Sequence, residues 1–118
     1  MWDEVSQKWP DEFAAWRSDE FHYRPPNSEN YPDMIARATP FLDELEAMDL
    51  ERVAVVSHGI IGRVMVGILL ELPPEQMFSF HQPNDTIFQL TRSGDHFVTQ
   101  HYVDGDGPHG GLPPRPPC

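Results

Sequence analysis

One stretch constrains this chain more than any other: Val53 to Arg63, read as Val-Ala-Val-Val-Ser-His-Gly-Ile-Ile-Gly-Arg. Val53-Ala54-Val55-Val56 is a continuous apolar run without alternation, the pattern of a parallel strand covered on both faces. Such a strand needs neighbouring strands. Behind it, Ile60 to Leu72 is helical in length and apolar nearly all round, and Gly62 and Gly67 would let that helix approach a sheet closely. Pro73-Pro74 ends it. Strand, Ser57-His58-Gly59 turn and helix together put His58 at the carboxyl end of a strand, where open α/β sheets bind ligands. The first amides of the Ile60 helix lack intrahelical partners and carry partial positive charge, which favours an anion such as phosphate. His58 would add a directed donor, although a histidine in such a turn can instead bond a nearby carbonyl.

The flanking sequence supplies further elements. Trp2, Val5, Trp9, Phe13 and Trp16 recur at helical spacing, and Pro10 divides the region into two short helices. Arg17 to Asn30, with Pro25-Pro26-Asn27-Ser28, has no period and reads as a loop long enough to form one wall of a site. Pro32 suits a first helical turn, and Ile35, Ala38, Leu42, Leu45 and Met48 form one apolar stripe, which predicts a helix over Pro32 to Met48. Pro40 inside it predicts a kink or a late start. Thr86 to Leu90 and His96 to Tyr102 read as two strands joined around Ser93-Gly94-Asp95. From Asp104 to Cys118, Gly, Pro and Asp dominate and predict a disordered tail. The domain expected is 1–103, with 104–118 outside it.

Composition narrows the partners. Eight basic against nineteen acidic side chains give a net charge of −11, which repels nucleic acid and anionic membrane surfaces. Neither is an expected partner. Seven of the eight basic residues are arginine, whose planar fork matches phosphate oxygens, so the acidic chain can still hold phosphate locally. The single cysteine, Cys118, excludes an internal disulfide and a cysteine-based structural zinc site, and fits a reducing cytoplasm. No apolar run is long enough for a membrane span, and Met1-Trp2-Asp3-Glu4 is not the pattern of a signal peptide.

At Val53 to Arg63 the sequence resembles the second histidine motif of the histidine phosphatase superfamily, the phosphoglycerate mutase-like proteins. Other segments follow the family's order. Pro25-Pro26-Asn27-Ser28-Glu29-Asn30-Tyr31-Pro32-Asp33 and Arg37 resemble its Pro-Gly-Gly-Glu-Ser-Tyr segment with the Asp and Arg that follow. Leu72-Pro73 and Asn84-Asp85-Thr86-Ile87 lie in the matching places downstream. The resemblance implies an α/β, three-layer fold with a mostly parallel sheet. It also implies hydrolysis or transfer of a phosphomonoester through phosphohistidine, with no metal or other cofactor. A small phosphorylated substrate or inorganic phosphate is the implied ligand.

In that family a first histidine, in an Arg-His-Gly motif, takes the phosphoryl group, and the second stabilises the transferring oxygens. His58 matches the second and is the catalytic candidate. Gly59, Tyr31, Arg63 and Glu29 are carried over as substrate-binding candidates; Tyr31 and Arg63 match positions that bind the untransferred part of substrate in the fructose-2,6-bisphosphatase branch. Arg17 and Arg24 are weaker candidates. No Arg-His-Gly occurs in these 118 residues, and the family's acidic proton donor has no counterpart here. The expectation is therefore a truncated domain, lacking its N-terminal strand and nucleophile motif. A competing expectation is a remnant or interaction module that binds phosphate without turnover.

The loop departs from the family pattern too, with Asn27-Ser28 and Asn30 replacing its glycines and serine, and serine tolerates positive φ poorly. Val55-x-Ser57-x-Gly59 does not make a nucleophile elbow, because Val55 stands where that turn needs glycine. His96, His101 and His109 lack the spacing of metal ligands. The Pro-Pro-Arg-Pro-Pro end could form a polyproline II ligand or a frayed terminus. An uncovered strand edge at Val53 to Val56 would also invite self-association.

Overall fold

Apolar periodicity in the first part of the chain becomes four helices in the computed structural model, which describes residues 2–77 and 79–113. Helix α1 (Trp2–Lys8) and α2 (Pro10–Ser18) divide at Trp9, where Pro10 starts the second helix in the position that tolerates a missing amide. Helix α3 spans Tyr31–Ala47 and α4 spans Gly59–Leu69. A short 3₁₀ turn, Pro74–Gln76, follows Pro73.

The start of α3 is fixed by side chains. Asn30 Oδ1 accepts the Asp33 amide at 2.9 Å, and Asp33 Oδ2 accepts the Asn30 amide at 3.1 Å, a reciprocal capping box. Asn30 Nδ2 also donates to the His22 carbonyl at 3.0 Å, tying the preceding loop to the cap. The Arg24 guanidinium forks onto Asp33 with two bonds of 2.8 Å. That hydrogen bonding, chiefly from Arg24, holds the Asp33 carboxyl below its ordinary value. The helix then continues through Pro40 rather than starting late beyond it. Pro40 and Ala36 are both exposed, so water can take up the carbonyl that Pro40 cannot bond.

Helices α3 and α4 pack on one another around Val64, which has no exposed surface, with Tyr31 and Met34 from α3. Phe21 stacks on Tyr31 with ring centroids 5.6 Å apart. Gly67 faces Met77, and Gly62 lies so close to the Gln82 side chain that a Cβ there would stand 2.7 Å from its amide nitrogen. The two glycines thus admit Met77 and Gln82 rather than the sheet.

The strands form a single antiparallel meander, β1 (Thr86–Ser93), β2 (His96–Val103) and β3 (Asp106–Gly110), in the order β1-β2-β3. Ser93 pairs with His96, so the hairpin turn is Gly94-Asp95, and Gly94 supplies the positive φ of 66° that this turn requires.

Three expectations are corrected. The sheet is antiparallel and three-stranded, not mostly parallel. Val53–Val56 belongs to no strand, and Val56 is 97% exposed; among the described residues no strand lies beside it, and a strand exists only through its neighbours' hydrogen bonds. Residues 106–110, expected in a disordered tail, pair with β2, because the Gly-rich segment bends back at Asp104-Gly105. His101 Nδ1 bonds to the Gly111 carbonyl at 2.8 Å, and the His81 amide donates to the Pro113 carbonyl at 2.8 Å, which secure that return. The rest of the expected tail, 114–118, lies outside the described residues.

The chain is more open than its length requires. Its radius of gyration is 15.9 Å, against about 13.5 Å for a well-packed domain of this size.

Replacing Asn30 by Ala should lower the urea midpoint by the equivalent of about 1 kcal/mol, from loss of the cap. Asp33 adds a pH dependence of definite sign. Its folded-state value lies below the ordinary 3.8, so its stabilisation is present above that pH and lost as pH falls through the folded value. Helicity followed by circular dichroism should therefore fall more steeply below this point in the native chain than in Asp33→Asn.

Candidate functional site

His58 is the N-cap of α4, with extended backbone (φ −148°, ψ 154°), and its side chain makes no capping bond. The imidazole is exposed and has no hydrogen-bond partner among the described residues. Its carbonyl accepts the first helical bond, from the Gly62 amide at 3.3 Å, so the amides of Gly59, Ile60 and Ile61 precede that ladder. Gly59 has φ of +48°, in the left-handed region, with nothing within 4 Å of where a Cβ would stand. Backbone conformation rather than space demands glycine there. The result is an exposed helix N-terminus with a free imidazole at its head, an arrangement that suits an anion.

Arg63 lies one turn further along α4, on the side of Gly59. Its Nη2 donates to the Tyr31 hydroxyl at 2.5 Å and its Nη1 to the Phe80 carbonyl at 3.4 Å. The Arg63 Nε is buried without a hydrogen-bond partner, and no carboxylate pairs with this guanidinium among the described residues. The Tyr31 ring faces the guanidinium carbon, with its centroid 6.0 Å away. Tyr31, only 5% exposed, is held by the α3 cap and by stacking on Phe21, so the Tyr31–Arg63 contact is built into the packing of the two helices.

Glu29 is placed differently. Arg37 forks onto its carboxylate with two bonds of 2.9 Å, and none of its hydrogen bonds reaches His58, Tyr31 or Arg63. The Glu29 carboxylate beside Arg37 raises the guanidinium's pKa, as Asp33 raises that of Arg24. Both of those arginines are neutralised in place. Arg17 lies over the Phe13 ring, 5.9 Å from its centroid. In the loop, Asn27 takes the positive φ of 57°, and Ser28 does not.

The structure thus brings together Tyr31 and Arg63, stations His58 and Gly59 at the head of the same helix, and leaves Glu29 to a local ion pair. It adds the Phe80 carbonyl as an acceptor for Arg63 and Gln82 beside Gly62, with Gln82 Oε1 buried and unpartnered. Neither sits in a periodic pattern or motif that would have exposed it. His101 and His109 face one another across β2 and β3, with ring centroids 5.2 Å apart. Among the described residues no group of three or more His, Cys, Asp or Glu could hold a metal ion. Nor, among them, is any helix long and apolar enough to cross a membrane.

The model of the histidine phosphatase superfamily (branch 1) matches residues 1–105. Curated relatives include the 6-phosphofructo-2-kinase/fructose-2,6-bisphosphatase of Gallus gallus, 31% identical over 90 residues, which are 76% of this chain and 19% of that protein. The Homo sapiens 6-phosphofructo-2-kinase/fructose-2,6-bisphosphatase 3 is likewise 31% identical over 90 residues, covering 76% of this chain and 17% of the relative. The chain thus spans less than a fifth of these relatives' length. Among solved structures, a putative alpha-ribazole-5'-P phosphatase from Escherichia coli K-12 superposes with a TM-score of 0.72 at 19% identity. The match covers 88% of this chain and 52% of that one, and shows a shared α/β fold. By the family match over 105 residues, this chain belongs to the histidine phosphatase superfamily.

Proposed function

We propose that this chain carries the second-histidine part of a phosphomonoester-handling site. In this reading His58 and the amides of Gly59 and Ile60 hold the oxygens of a phosphoryl group. The observation that carries it is His58 at the head of α4, exposed and unbonded, beside amides that precede the helical ladder. Arg63, braced by Tyr31 and without a carboxylate partner among the described residues, supplies positive charge one turn along. It is assigned to the untransferred part of a small phosphorylated substrate. Glu29 serves this reading as a brace on Arg37 rather than as a substrate ligand.

In the full reaction of the family, an imidazole nitrogen attacks phosphorus, the P–N bond forms as the P–O bond to the leaving group breaks, and an acid protonates the departing oxygen. Preorganised donors stabilise charge on the phosphoryl oxygens meanwhile. His58 fits that last role. No Arg-His-Gly occurs among these 118 residues, so in this reading the chain by itself binds without turnover, and turnover is assigned to its combination with an Arg-His-Gly-bearing segment. The chemistry asks for no metal or cofactor, and a reducing cytoplasm suits a chain whose one cysteine is terminal.

Two measurements test this. Phosphate titrated to millimolar concentration should shift the His58 ring signals in NMR spectra of the folded chain; unchanged signals would remove the site. Purified chain should show no hydrolysis of para-nitrophenyl phosphate, since general acid catalysis alone is worth about 10²- to 10⁴-fold and the nucleophile is missing as well. Activity of the unaided chain that vanishes in His58→Ala would make His58 itself the nucleophile and overturn the assignment.

A further inference from the structure

Strand β3, Asp106–Gly110, is exposed along its whole length, and Pro108 is its one apolar side chain larger than a hydrogen atom. Little apolar burial therefore holds it on β2. Gly107 instead lets the two backbones close up, since a Cβ there would stand 3.0 Å from the His101 carbonyl oxygen. At this close approach His101 and His109 are register partners, with ring centroids 5.2 Å apart and planes 34° apart. His101 is 9% exposed, and its Nδ1 donates to the Gly111 carbonyl at 2.8 Å. That bond fixes the proton on Nδ1 of the neutral ring and leaves the lone pair on Nε2. His109 has its Nε2 3.8 Å from the Asp106 carboxylate, which favours the proton there and leaves the lone pair on Nδ1.

We propose that His101 and His109 together bind a divalent transition-metal ion of the class of Zn²⁺, Ni²⁺ or Cu²⁺, and that the ion clips β3 to β2. Each ring is held as metal-ligating histidines are held, with one nitrogen turned to a carbonyl or carboxylate and the other left to the ion. The separation agrees. An ion bound by two imidazoles at about 2.0–2.1 Å lies about 3 Å from each ring centre, which sets the centres about 5 Å apart at a tetrahedral angle. Two protein ligands make an open site that water completes, not the closed cage of a structural zinc. Imidazole donors select this class over Mg²⁺ and Ca²⁺, which take oxygen ligands. A chain of net charge −11, with Asp104 and Asp106 beside this edge, draws a cation toward it. The sequence carries no metal motif here because the pair is made by the return of β3 along β2. His58 stands on α4 rather than on the sheet, and the clip is assigned to fastening the C-terminal return, with no part in phosphate binding.

The test titrates Zn²⁺ into the untagged full chain and follows the ring signals of all six histidines by NMR. Those of His101 and His109 should move together, at an ion concentration about tenfold or more below that needed at any other histidine, because the second imidazole binds intramolecularly. Amide exchange at His109 and Gly110 should slow in step, and Mg²⁺ at the same concentration should move neither ring. His109→Ala, a change at an exposed position, should weaken binding at His101 by about tenfold or more. Electron paramagnetic resonance with Cu²⁺ gives a reading that needs no variant, and two nitrogen donors are expected in the native chain. Shifts spread evenly over the exposed histidines, a single nitrogen donor, or affinity unchanged in a folded His109→Ala would mean adventitious binding and overturn the site. No shift at millimolar Zn²⁺ would overturn it as well. Binding by both rings without slower exchange in β3 would overturn the clip.

Discussion

The packing of α3 on α4 around Val64 is the constraint from which the rest of the molecule takes its geometry. A fully buried valine contributes about 1.5–3 kcal/mol, and here it lies against Tyr31 and Met34. The same contact brings the Tyr31 hydroxyl to Arg63. A hydrogen bond to a charged group contributes about 1.5–3 kcal/mol net, so a polar bond and an apolar core reinforce one another at one helix crossing. The Asn30–Asp33 cap begins this chain of dependence, because it fixes where α3 starts and hence where Tyr31 points. His58 inherits its position from the other helix.

The β-meander stands apart from that crossing. Its hairpin register is complete from Thr86↔Val103 to Ser93↔His96, and β3 returns along β2 with an irregularity between His101 and Val103. Phe80 meets Phe88 edge-on at 5.9 Å, and Arg92 reaches Glu46. Between these contacts lies the trough bordered by Val53–Val56. An apolar segment so exposed is the clearest local conflict between sequence and fold, since its residues have the composition of a covered strand.

Local signals in the sequence were legible wherever one element decides the outcome. Pro10 marks the start of α2, the Ser93-Gly94-Asp95 turn marks the hairpin, and the Ser57-His58-Gly59 turn marks the head of α4. The Pro32 signal came within a residue of the start of α3. What the sequence hid were outcomes set by distant partners. Val53–Val56 has strand chemistry, but pairing is a property of two segments, and among the described residues the second is not beside it. Residues 106–110 have the composition of a tail, yet β2 offers a free edge and His101 supplies a bond to the returning backbone. Motif order named His58, Tyr31 and Arg63, and the structure puts His58 and Arg63 on α4 with Tyr31 bonded to Arg63. The commitment of Glu29 to Arg37 was not legible, because an ion pair eight residues apart on a loop and a helix depends on how the loop closes.

The way the C-terminal segment is fastened has a consequence for how the protein responds to stress. His81 bonds to Pro113, Gly111 to Thr99, and the Gly111 carbonyl to His101, so residues 81–113 close into a loop whose two ends are stitched together. The helix pair is secured by its own core. Each leaf of the molecule thus carries its own fastening, with only a few side chains between them, and opening one need not open the other. The head of α4, where His58 stands, therefore belongs to the leaf secured by the α3–α4 core.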